Sequence, residues 1–313
     1  MKIVEAAEVR QRLTMSACID LMRTSLRELE AGTYTQPLRS IALLPGGEKF
    51  GFMPACLGDC FGAKVLSAFP QNAGTQYPSH IGYVLLFEGG HGSFLGMADA
   101  AVITEIRTGA VSGVATDLLA RPDAHRLAII GAGAQGRSHL ASMTAVRDIH
   151  SVTVYDQNTQ AARRYCQEME EKFGIPVTAA DSVREAVCDA DIVCTVTPSR
   201  EPYLESDWIA PGTHINAVGA FTPTTREVTS TLVAKARLYA DQVEAMRKEC
   251  GEYLVPLHEG LIGPDHIVGS LGDVLLGRVP GRSSGEEITL FDALGLAVED
   301  VACVKYLCGG SRS

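Results

Sequence analysis

The chain has 313 residues, of which 46% are hydrophobic and 20% are charged, a balance typical of ordered globular proteins rather than disordered ones. Its net charge of −10 comes from 37 acidic and 27 basic residues without a dense Lys/Arg cluster, which argues against nucleic acid as a partner. Charges and glycines interrupt the N-terminal residues and every apolar stretch well short of about 20 residues, so we expect no signal peptide, no transmembrane segment and no membrane partner.

The N-terminal third of the chain predicts a mixture of helix and strand. Apolar residues at helical spacing predict an amphipathic helix over residues 5–31. Short β-like runs separated by Pro, Gly and Asn follow over residues 40–97, with a hairpin that turns at 89–92. Helical periodicity returns over 99–119, and the Pro-containing linker after it places a domain boundary near Arg121.

Beyond this boundary, strand-like and helix-like runs alternate, from RLAII at 126–130 to RLYA at 237–240. Alternating β and α elements with short apolar strands predict an α/β fold built on a doubly wound, mostly parallel sheet. The Gly- and Pro-rich segment 251–285 predicts loops and short helices, and the apolar tail over 290–307 predicts a final helix.

Residues 131–136 read GAGAQG and match the G-x-G-x-x-G fingerprint between a predicted strand and a predicted helix. The first glycine permits the tight turn, the second lets the backbone approach a pyrophosphate, and the third allows the helix to pack on the strand. The helix N-terminus would donate N–H groups to the phosphates. We therefore assign dinucleotide contacts to Gly131, Gly133, Ala134, Gln135 and Gly136.

Asp156 ends the second strand of this region, 25 residues beyond Gly131, near the position at which an acid accepts hydrogen bonds from the adenosine ribose. Such an acid would repel a ribose 2′-phosphate and favour NADH; the alternative is that Asp156 is a turn residue at the strand end. Arg163 and Arg164 follow closely in the sequence and leave NADPH open.

Ligands of doubly wound sheets bind outside the carboxyl ends of the strands. Two later predicted strands end near residues 197 and 219. We therefore predict further cofactor contacts at Thr197, Asn216, Val218 and Gly219.

Three basic residues precede the predicted dinucleotide domain, namely Arg39, Lys64 and Arg107. Lys64 stands in an otherwise apolar run and Arg107 on a predicted helix, so burial of either would demand an anionic partner. A substrate carboxylate is one candidate, because a guanidinium binds it in a bidentate geometry. The alternative is that each is a solvated or structural charge.

The nine cysteines are scattered along the chain and lack the spacing of a disulfide scaffold or a zinc site. We therefore expect free thiols in a reducing cytoplasm and no metal centre.

Several segments, taken together, resemble the ornithine cyclodeaminase/μ-crystallin family almost end to end. They are MP at 53–54, GAKVLSAFPQN, PSHIGYVLLFE, TEIRTGAVSGVATDLLARPDAHRLAIIGAGAQGRSHL, THINAVGAFTP and DALGLAVEDVACVKYL. The resemblance implies a Rossmann domain for NADH or NADPH over 121–288. It also implies a homodimer and an α+β substrate-binding and dimerisation domain built from 1–120 with 289–313.

The resemblance further implies substrate-carboxylate and active-site roles for Arg39, Lys64 and Arg107, because each lies inside a matching motif. His80, in PSHIG, resembles a position near the pocket of the μ-crystallin branch, although a single histidine beside a strand is more often structural.

One departure from the family pattern bears on the reaction. Ornithine cyclodeaminases carry an acidic residue after the HINAVGG-type strand, and this chain has Phe221 there, which cannot transfer a proton. The resemblance thus implies the ketimine-reductase branch, which converts Δ1-pyrroline-2-carboxylate to proline and Δ1-piperideine-2-carboxylate to pipecolate. An alanine-type dehydrogenase acting on open-chain amino acids and a non-enzymatic small-ligand binding protein remain alternatives, whereas ornithine cyclodeamination is disfavoured.

Overall fold

A computed structural model describes residues 2–72, 75–77 and 80–309, without the side chains of Pro70 and His80. The chain divides into two compact units. The first unit comprises Met1–Arg107 with Gly295–Ser313, and the second comprises Thr108–Leu294.

The helices of the described residues, in chain order, are α1 (Ala6–Arg12), α2 (Met15–Glu30), α3 (Ala100–Leu119), α4 (Ala134–Val146), α5 (Thr159–Phe173), α6 (Val183–Val187), α7 (Ser230–Lys235), α8 (Val243–Glu249), α9 (Gly251–His258), α10 (Leu271–Leu275) and α11 (Ala297–Cys308). None of them is long and apolar enough to cross a membrane.

The strands of the same residues are β1 (Lys2–Val4), β2 (Ser40–Leu43), β3 (Lys49–Cys56), β4 (Cys60–Ala68), β5 (His80–Glu88), β6 (Phe94–Asp99), β7 (Arg126–Ile130), β8 (Ser151–Tyr155), β9 (Val177–Ala179), β10 (Ile192–Thr195), β11 (His214–Ala217), β12 (Arg237–Ala240), β13 (Ile267–Ser270) and β14 (Thr289–Asp292).

Within its described part, the first unit contains a six-stranded sheet in the order β1-β6-β5-β4-β3-β2. All neighbours pair antiparallel except β1 and β6. Helix α11 packs against α2 and against β3 to β6, and nine of its twelve residues are buried. The predicted hairpin between β5 and β6 is confirmed, and Gly92 has the positive φ of +70° that its turn requires.

The predicted N-terminal helix over 5–31 is two helices, because the chain breaks at Leu13 and Thr14. The Thr14 hydroxyl accepts a hydrogen bond from the backbone N–H of Ala17 at 3.3 Å and caps α2. Leu13 is buried despite the break, so the apolar spacing continues across it and does not reveal it.

The second unit contains an eight-stranded sheet in the order β13-β12-β14-β11-β10-β7-β8-β9, as far as the described residues extend. Every hydrogen-bonded pair in it is parallel, which confirms the predicted doubly wound architecture. The chain runs outward from β7 through β8 to β9 and then returns to β10 on the other side of β7, which creates a topological switch point at the carboxyl ends of β7 and β10.

Two elements near the C-terminus differ from the sequence prediction. Strand β13 lies in the segment expected to form only loops and short helices. The tail predicted as one helix over 290–307 begins as β14, which pairs with β11 and β12, and α11 starts only at Ala297. Buried parallel strands and buried helices are both continuously apolar, so periodicity alone does not separate them.

The division between the two units falls within α3, after Arg107, rather than after residue 120. Strand β14 belongs by its hydrogen bonds to the eight-stranded sheet, whereas the sequence analysis grouped residues from 289 onward with the N-terminal part. The functional roles of the two units stay predictions.

Candidate active site

The first unit holds a buried cluster of two cations and two anions. Lys64 Nζ lies 2.7 Å from Asp300 Oδ2. Arg107 donates from Nη1 to Glu299 Oε2 at 2.9 Å and from Nε to Asp300 Oδ1 at 3.2 Å. All four residues are at most 5% exposed. Their formal charges sum to zero, which is the condition under which ionised groups are tolerated in a protein interior.

The fold brings these four residues together from three elements. Lys64 lies in the middle of β4, between the buried residues Met53 of β3 and Val84 of β5. Glu299 and Asp300 lie in the first turn of α11, where the helix dipole favours negative charge.

Gly295 permits the position of the Arg107 side chain. A Cβ on this residue would lie 2.7 Å from Arg107 Nη1 and 2.9 Å from Nη2, and its φ of +84° favours glycine. The approach of the guanidinium to α11 therefore requires a residue without a side chain at this point.

The surroundings of Lys64 change its proton affinity. Burial lowers the pKa of Lys64, Asp300 opposes this, and the positive charge of Arg107 lowers the pKa further. The net direction is downward from the usual lysine value. A buried ammonium of this kind releases a proton more readily than a surface lysine.

Sequence reasoning missed Glu299 and Asp300. It inferred that a buried Lys64 or Arg107 needs an anionic partner, and considered a substrate carboxylate for that role. The chain itself supplies the anions, so the burial of these two cations is no longer an argument for a bound carboxylate. The available signal was a pair of adjacent acids inside the apolar run ALGLAVEDVACV.

The other two predicted substrate residues are less defined by the structure. Arg39 is half-buried in the segment immediately before β2. His80 is the first residue of β5 and pairs with Ala68, but its side chain lies outside the described part of the chain. The roles of Arg39 and His80 stay predictions.

The glycine loop of the second unit has the geometry that a dinucleotide requires. Gly131 has a φ of +115°, and a Cβ there would lie 2.8 Å from the carbonyl oxygen of Val196. A Cβ on Gly136 would collide with the carbonyl oxygen of Gly131. A Cβ on Gly133, by contrast, would meet nothing within 4 Å, so this residue opens onto free space at the start of α4. The loop thus fits a pyrophosphate against the helix N-terminus.

Ala134 and Gln135 occupy the first turn of α4, where backbone N–H groups have no partner within a helix. Gly133 is the N-cap and contributes no side-chain acceptor to them. This leaves the N–H groups of the first turn suited to phosphate oxygens.

Asp156 follows β8 directly, and its carboxylate lies against the glycine loop. Oδ2 accepts a hydrogen bond from the N–H of Ala132, and Oδ1 accepts one from the N–H of Asn158, both at 2.8 Å. Asp156 therefore forms the strand-end turn that the sequence analysis considered, and it also holds a negative charge beside the loop. The turn and a contact with the adenosine ribose are compatible, because each carboxylate oxygen accepts more than one hydrogen bond.

Replacing Asp156 by serine is expected to raise the ratio of kcat/KM with NADPH to kcat/KM with NADH by about tenfold, because it removes a carboxylate that would repel a 2′-phosphate by about 1.4 kcal/mol or more. Initial rates with both cofactors at saturating imine measure this ratio. The variant Asp148→Ser, which removes an exposed acid elsewhere in the unit, is the control. An unchanged ratio in Asp156→Ser would mean that this carboxylate does not face the ribose.

The predicted residues after β10 and β11 lie at the carboxyl edge of the sheet. Thr197 and Gly219 are partly exposed, and Val218 is buried, with its N–H bonded to the carbonyl oxygen of Thr195 at 3.0 Å. Glu227, which was not predicted from the sequence, accepts hydrogen bonds from the backbone N–H groups of both Thr197 and Gly219.

Asn216, another predicted cofactor contact, lies inside the second unit. Its side chain is fully buried, its amide nitrogen donates to the Thr116 hydroxyl at 3.0 Å, and its amide oxygen lies 3.3 Å from His214 Nε2. The side chain thus links β11 to α3, and the cofactor contact predicted for Asn216 stays a prediction.

His125, Asp148 and His150 form a group whose potential ligand atoms lie within 4.8 Å of one another. The two imidazole rings stack with centroids 4.2 Å apart and an angle of 4° between their planes. Because nitrogen lone pairs lie in the ring plane, stacked rings do not direct them to one ion, and we assign no metal to this group.

Known proteins of one family are similar to this chain over nearly its whole length. Residues 1–310 match the profile of the ornithine cyclodeaminase/mu-crystallin family. The chain is 34% identical over 311 residues to a Δ1-pyrroline-2-carboxylate reductase of Bacillus cereus, covering 98% of this chain and 95% of that protein. Among solved structures, a Thermococcus litoralis Δ1-pyrroline-2-carboxylate reductase in complex with NADH and L-proline is similar with a TM-score of 0.95 and 36% identity, covering 98% of this chain and 96% of that one. An archaeal alanine dehydrogenase dimer with bound NAD is similar with a TM-score of 0.93 and 31% identity, covering 98% and 94%.

Proposed function

Because the chain belongs to the ornithine cyclodeaminase/mu-crystallin family, we propose that it reduces the C=N bond of cyclic ketimines with NADH or NADPH. The substrates are Δ1-pyrroline-2-carboxylate, which gives L-proline, and Δ1-piperideine-2-carboxylate, which gives L-pipecolate. The observation that carries this proposal is the likeness, over 98% of the chain, to a reductase whose structure contains NADH and L-proline.

The residues of the first unit suit the binding of a planar imino acid. Arg107, with Arg39, would hold the substrate carboxylate by charge-assisted hydrogen bonds. Glu299 and Asp300 fix the plane of the Arg107 guanidinium, and a fixed plane determines which face of the C=N bond is presented.

Reduction of the imine needs one hydride at carbon and one proton at nitrogen. When bound, the nicotinamide supplies the hydride. Lys64 suits the proton donor, because its lowered pKa makes Nζ a stronger acid than an ordinary ammonium. Asp300, 2.7 Å from Nζ, then holds the neutral amine in place until it takes up a proton again.

The test of the proposal is the oxidation of NADH and NADPH, followed by absorbance, with five- and six-membered cyclic imino acids. Pyruvate with ammonia is the comparison, because the similarity to an alanine dehydrogenase favours that activity as the second candidate. Faster turnover of pyruvate with ammonia would replace the proposal by the second candidate. Absence of cofactor oxidation with every imino acid would favour a non-enzymatic binding protein. One methylene changes binding by only about 1–3 kcal/mol, so the preferred ring size has to be measured. The same panel of imino acids measures it.

Ornithine is expected not to be converted to proline at an appreciable rate. Phe221 stands where ornithine cyclodeaminases carry an acid, and its phenyl ring offers neither a proton nor a charge. Release of ammonia from ornithine in the presence of NAD measures this activity. Robust release would contradict the prediction, whereas Phe221→Asp need not create the activity because Thr222 and its neighbours also differ.

We also propose a homodimer that uses the six-stranded sheet. This sheet exposes several large apolar side chains. Monomeric proteins rarely expose a large apolar patch, and such patches often mark an interface with another protein. The similar archaeal alanine dehydrogenase is described as a dimer, and light scattering after size-exclusion chromatography tests the same state here. The apolar side chains in question are Ile41, Leu43, Phe50, Phe52 and Ile81, each at least 43% exposed.

The nine cysteines all lie in the described part of the chain, and all are free thiols. This supports our proposal that the protein works in a reducing compartment such as the cytoplasm.

A further inference from the structure

A single buried carboxylate joins the two loops that follow β10 and β11. Glu227 Oε1 accepts hydrogen bonds from the N–H of Thr197 at 2.8 Å, from the Thr197 hydroxyl at 2.6 Å and from the Tyr203 hydroxyl at 2.7 Å. Its other oxygen, Oε2, accepts one from the N–H of Gly219 at 2.7 Å. Glu227 itself is 0% exposed. The separation of the two loops is therefore set by the width of one carboxylate.

Gly219 has the residue type that this arrangement demands. A Cβ on it would collide with the carbonyl oxygen of Thr197 and lie 2.7 Å from Glu227 Cδ. Any side chain at this position would push the loops apart or displace the carboxylate. The requirement for glycine is thus independent support for a close, fixed contact between the loops.

The backbone of Glu227 is fixed as well. Its N–H donates to Glu252 Oε1 at 2.8 Å, and its carbonyl oxygen accepts hydrogen bonds from the N–H groups of Tyr203 and Leu204 at 2.9 Å. Burial raises the pKa of Glu252, and the charge of Glu227 raises it further, so Glu252 holds its proton more readily than an ordinary carboxyl group and adds less repulsion behind Glu227.

An ionised carboxylate is the side chain that can bind both loops at once. Its two oxygens only accept hydrogen bonds, so they satisfy two backbone N–H groups that approach from different loops. A glutamine in the same place would turn its NH₂ group toward one of these donors and lose that contact.

These loops lie beside the dinucleotide fingerprint. The carbonyl oxygen of Val196, directly before Thr197, is the atom that a Cβ on Gly131 would meet at 2.8 Å. With Asp156 after β8 on one side of β7, the loops after β10 and β11 lie on the other side, along the carboxyl edge where such sheets bind ligands. A dinucleotide whose adenosine half extends toward β8 has its nicotinamide half at these loops.

We propose that Glu227 is a positioning residue for the nicotinamide half of the dinucleotide, acting through the loops that contain Thr197 and Gly219. The inference rests on the proposed function only in requiring that NADH is the ligand. Glu227 touches neither substrate nor cofactor in this role. It sets the spacing of the two loops that do.

The experiment compares the binding of NADH with that of ADP-ribose, which lacks the nicotinamide, to purified wild-type protein and to Glu227→Gln. NADH is followed by its fluorescence and ADP-ribose by calorimetry. We expect Glu227→Gln to weaken NADH binding by about tenfold or more, since one or two hydrogen bonds to a charged group are lost, while ADP-ribose binding stays within about threefold of wild type. A role in stability alone would leave both affinities unchanged or lower both equally, and either result would overturn the inference.

Two further variants keep the test decisive. Tyr203→Phe removes one donor to the same carboxylate but leaves both loop N–H contacts, so NADH affinity should stay within about threefold of wild type. Gly219→Ala disrupts the contact from the other loop and should repeat the selective loss of NADH even if Glu227→Gln fails to fold. Failure of the wild-type protein to bind either NADH or NADPH would refute the proposed function itself, whereas equal NADH affinity in wild type, Glu227→Gln and Gly219→Ala would refute only the role of Glu227.

Discussion

Replacing Arg107 by alanine is expected to lower kcat/KM for a cyclic ketimine by about two orders of magnitude or more. Losing one charge-assisted contact to a buried carboxylate costs about 2–3 kcal/mol or more, and each 1.4 kcal/mol is tenfold in rate. The affinity for NADH should stay nearly constant, because the predicted cofactor residues of the glycine loop and Asp156 belong to the second unit. Steady-state kinetics with NADH titrations measure both quantities.

The same substitution should also destabilise the first unit. It removes the guanidinium that pairs with both Glu299 and Asp300, and removing one partner of a buried ion pair typically costs about 3–5 kcal/mol. Arg107→Lys separates the two effects, since it retains the charge but not the planar fork. We expect the free energy of unfolding of Arg107→Lys to be closer to that of wild type than that of Arg107→Ala is, while kcat/KM of Arg107→Lys remains low. Near-wild-type kcat/KM in a folded Arg107→Ala variant would show that the substrate carboxylate binds elsewhere.

Lys64→Met is expected to lower kcat by about a hundredfold or more, with a smaller change in KM, because a positioned general acid contributes about 10²–10⁴ in rate. If Lys64 donates the proton, as we propose, its acid form is the active one, so kcat should fall as the pH rises through its pKa. Burial lowers this pKa, and the fall should therefore begin at a lower pH than for an ordinary lysine. A kcat profile against pH for wild type and variant tests both points.

Two variants complete the test of Lys64. Lys64→Arg retains a cation beside Asp300 but holds its proton at all accessible pH values, so we expect binding without efficient protonation. Lys305→Met removes another lysine that pairs with an acid, Asp59, at the surface of α11, and should leave kcat unchanged. If Lys64→Met raised KM without lowering kcat, Lys64 would bind the substrate without donating a proton.

How much of this protein could be predicted from its sequence depends on how local the determining interactions are. The strands RLAII, SVTVY and RLYA have the predicted bounds, because short apolar runs between polar turns specify them locally. The glycine fingerprint is also recognised from consecutive residues, since Gly131 and Gly136 have no room for a Cβ and Gly133 opens onto free space at the start of α4. The break at Thr14 was not predictable, because the apolar spacing continues unchanged from α1 into α2. Strand β14 was not predictable either, because a buried strand and a buried helix are both continuously apolar.

The candidate site shows the same division. The sequence by itself determined that Lys64 and Arg107, if buried, need anions, since a buried charge without a partner is too unfavourable to persist. Only the tertiary structure decided which anions these are, because Glu299 lies 192 residues from Arg107 along the chain and reaches it through the packing of α11 on β3 to β6. Glu227 was likewise invisible in the sequence, as its partners are two loops that meet only where parallel strands end side by side. Local sterics are encoded in neighbouring residues, whereas the pairing of buried charges depends on which distant elements the fold brings into contact.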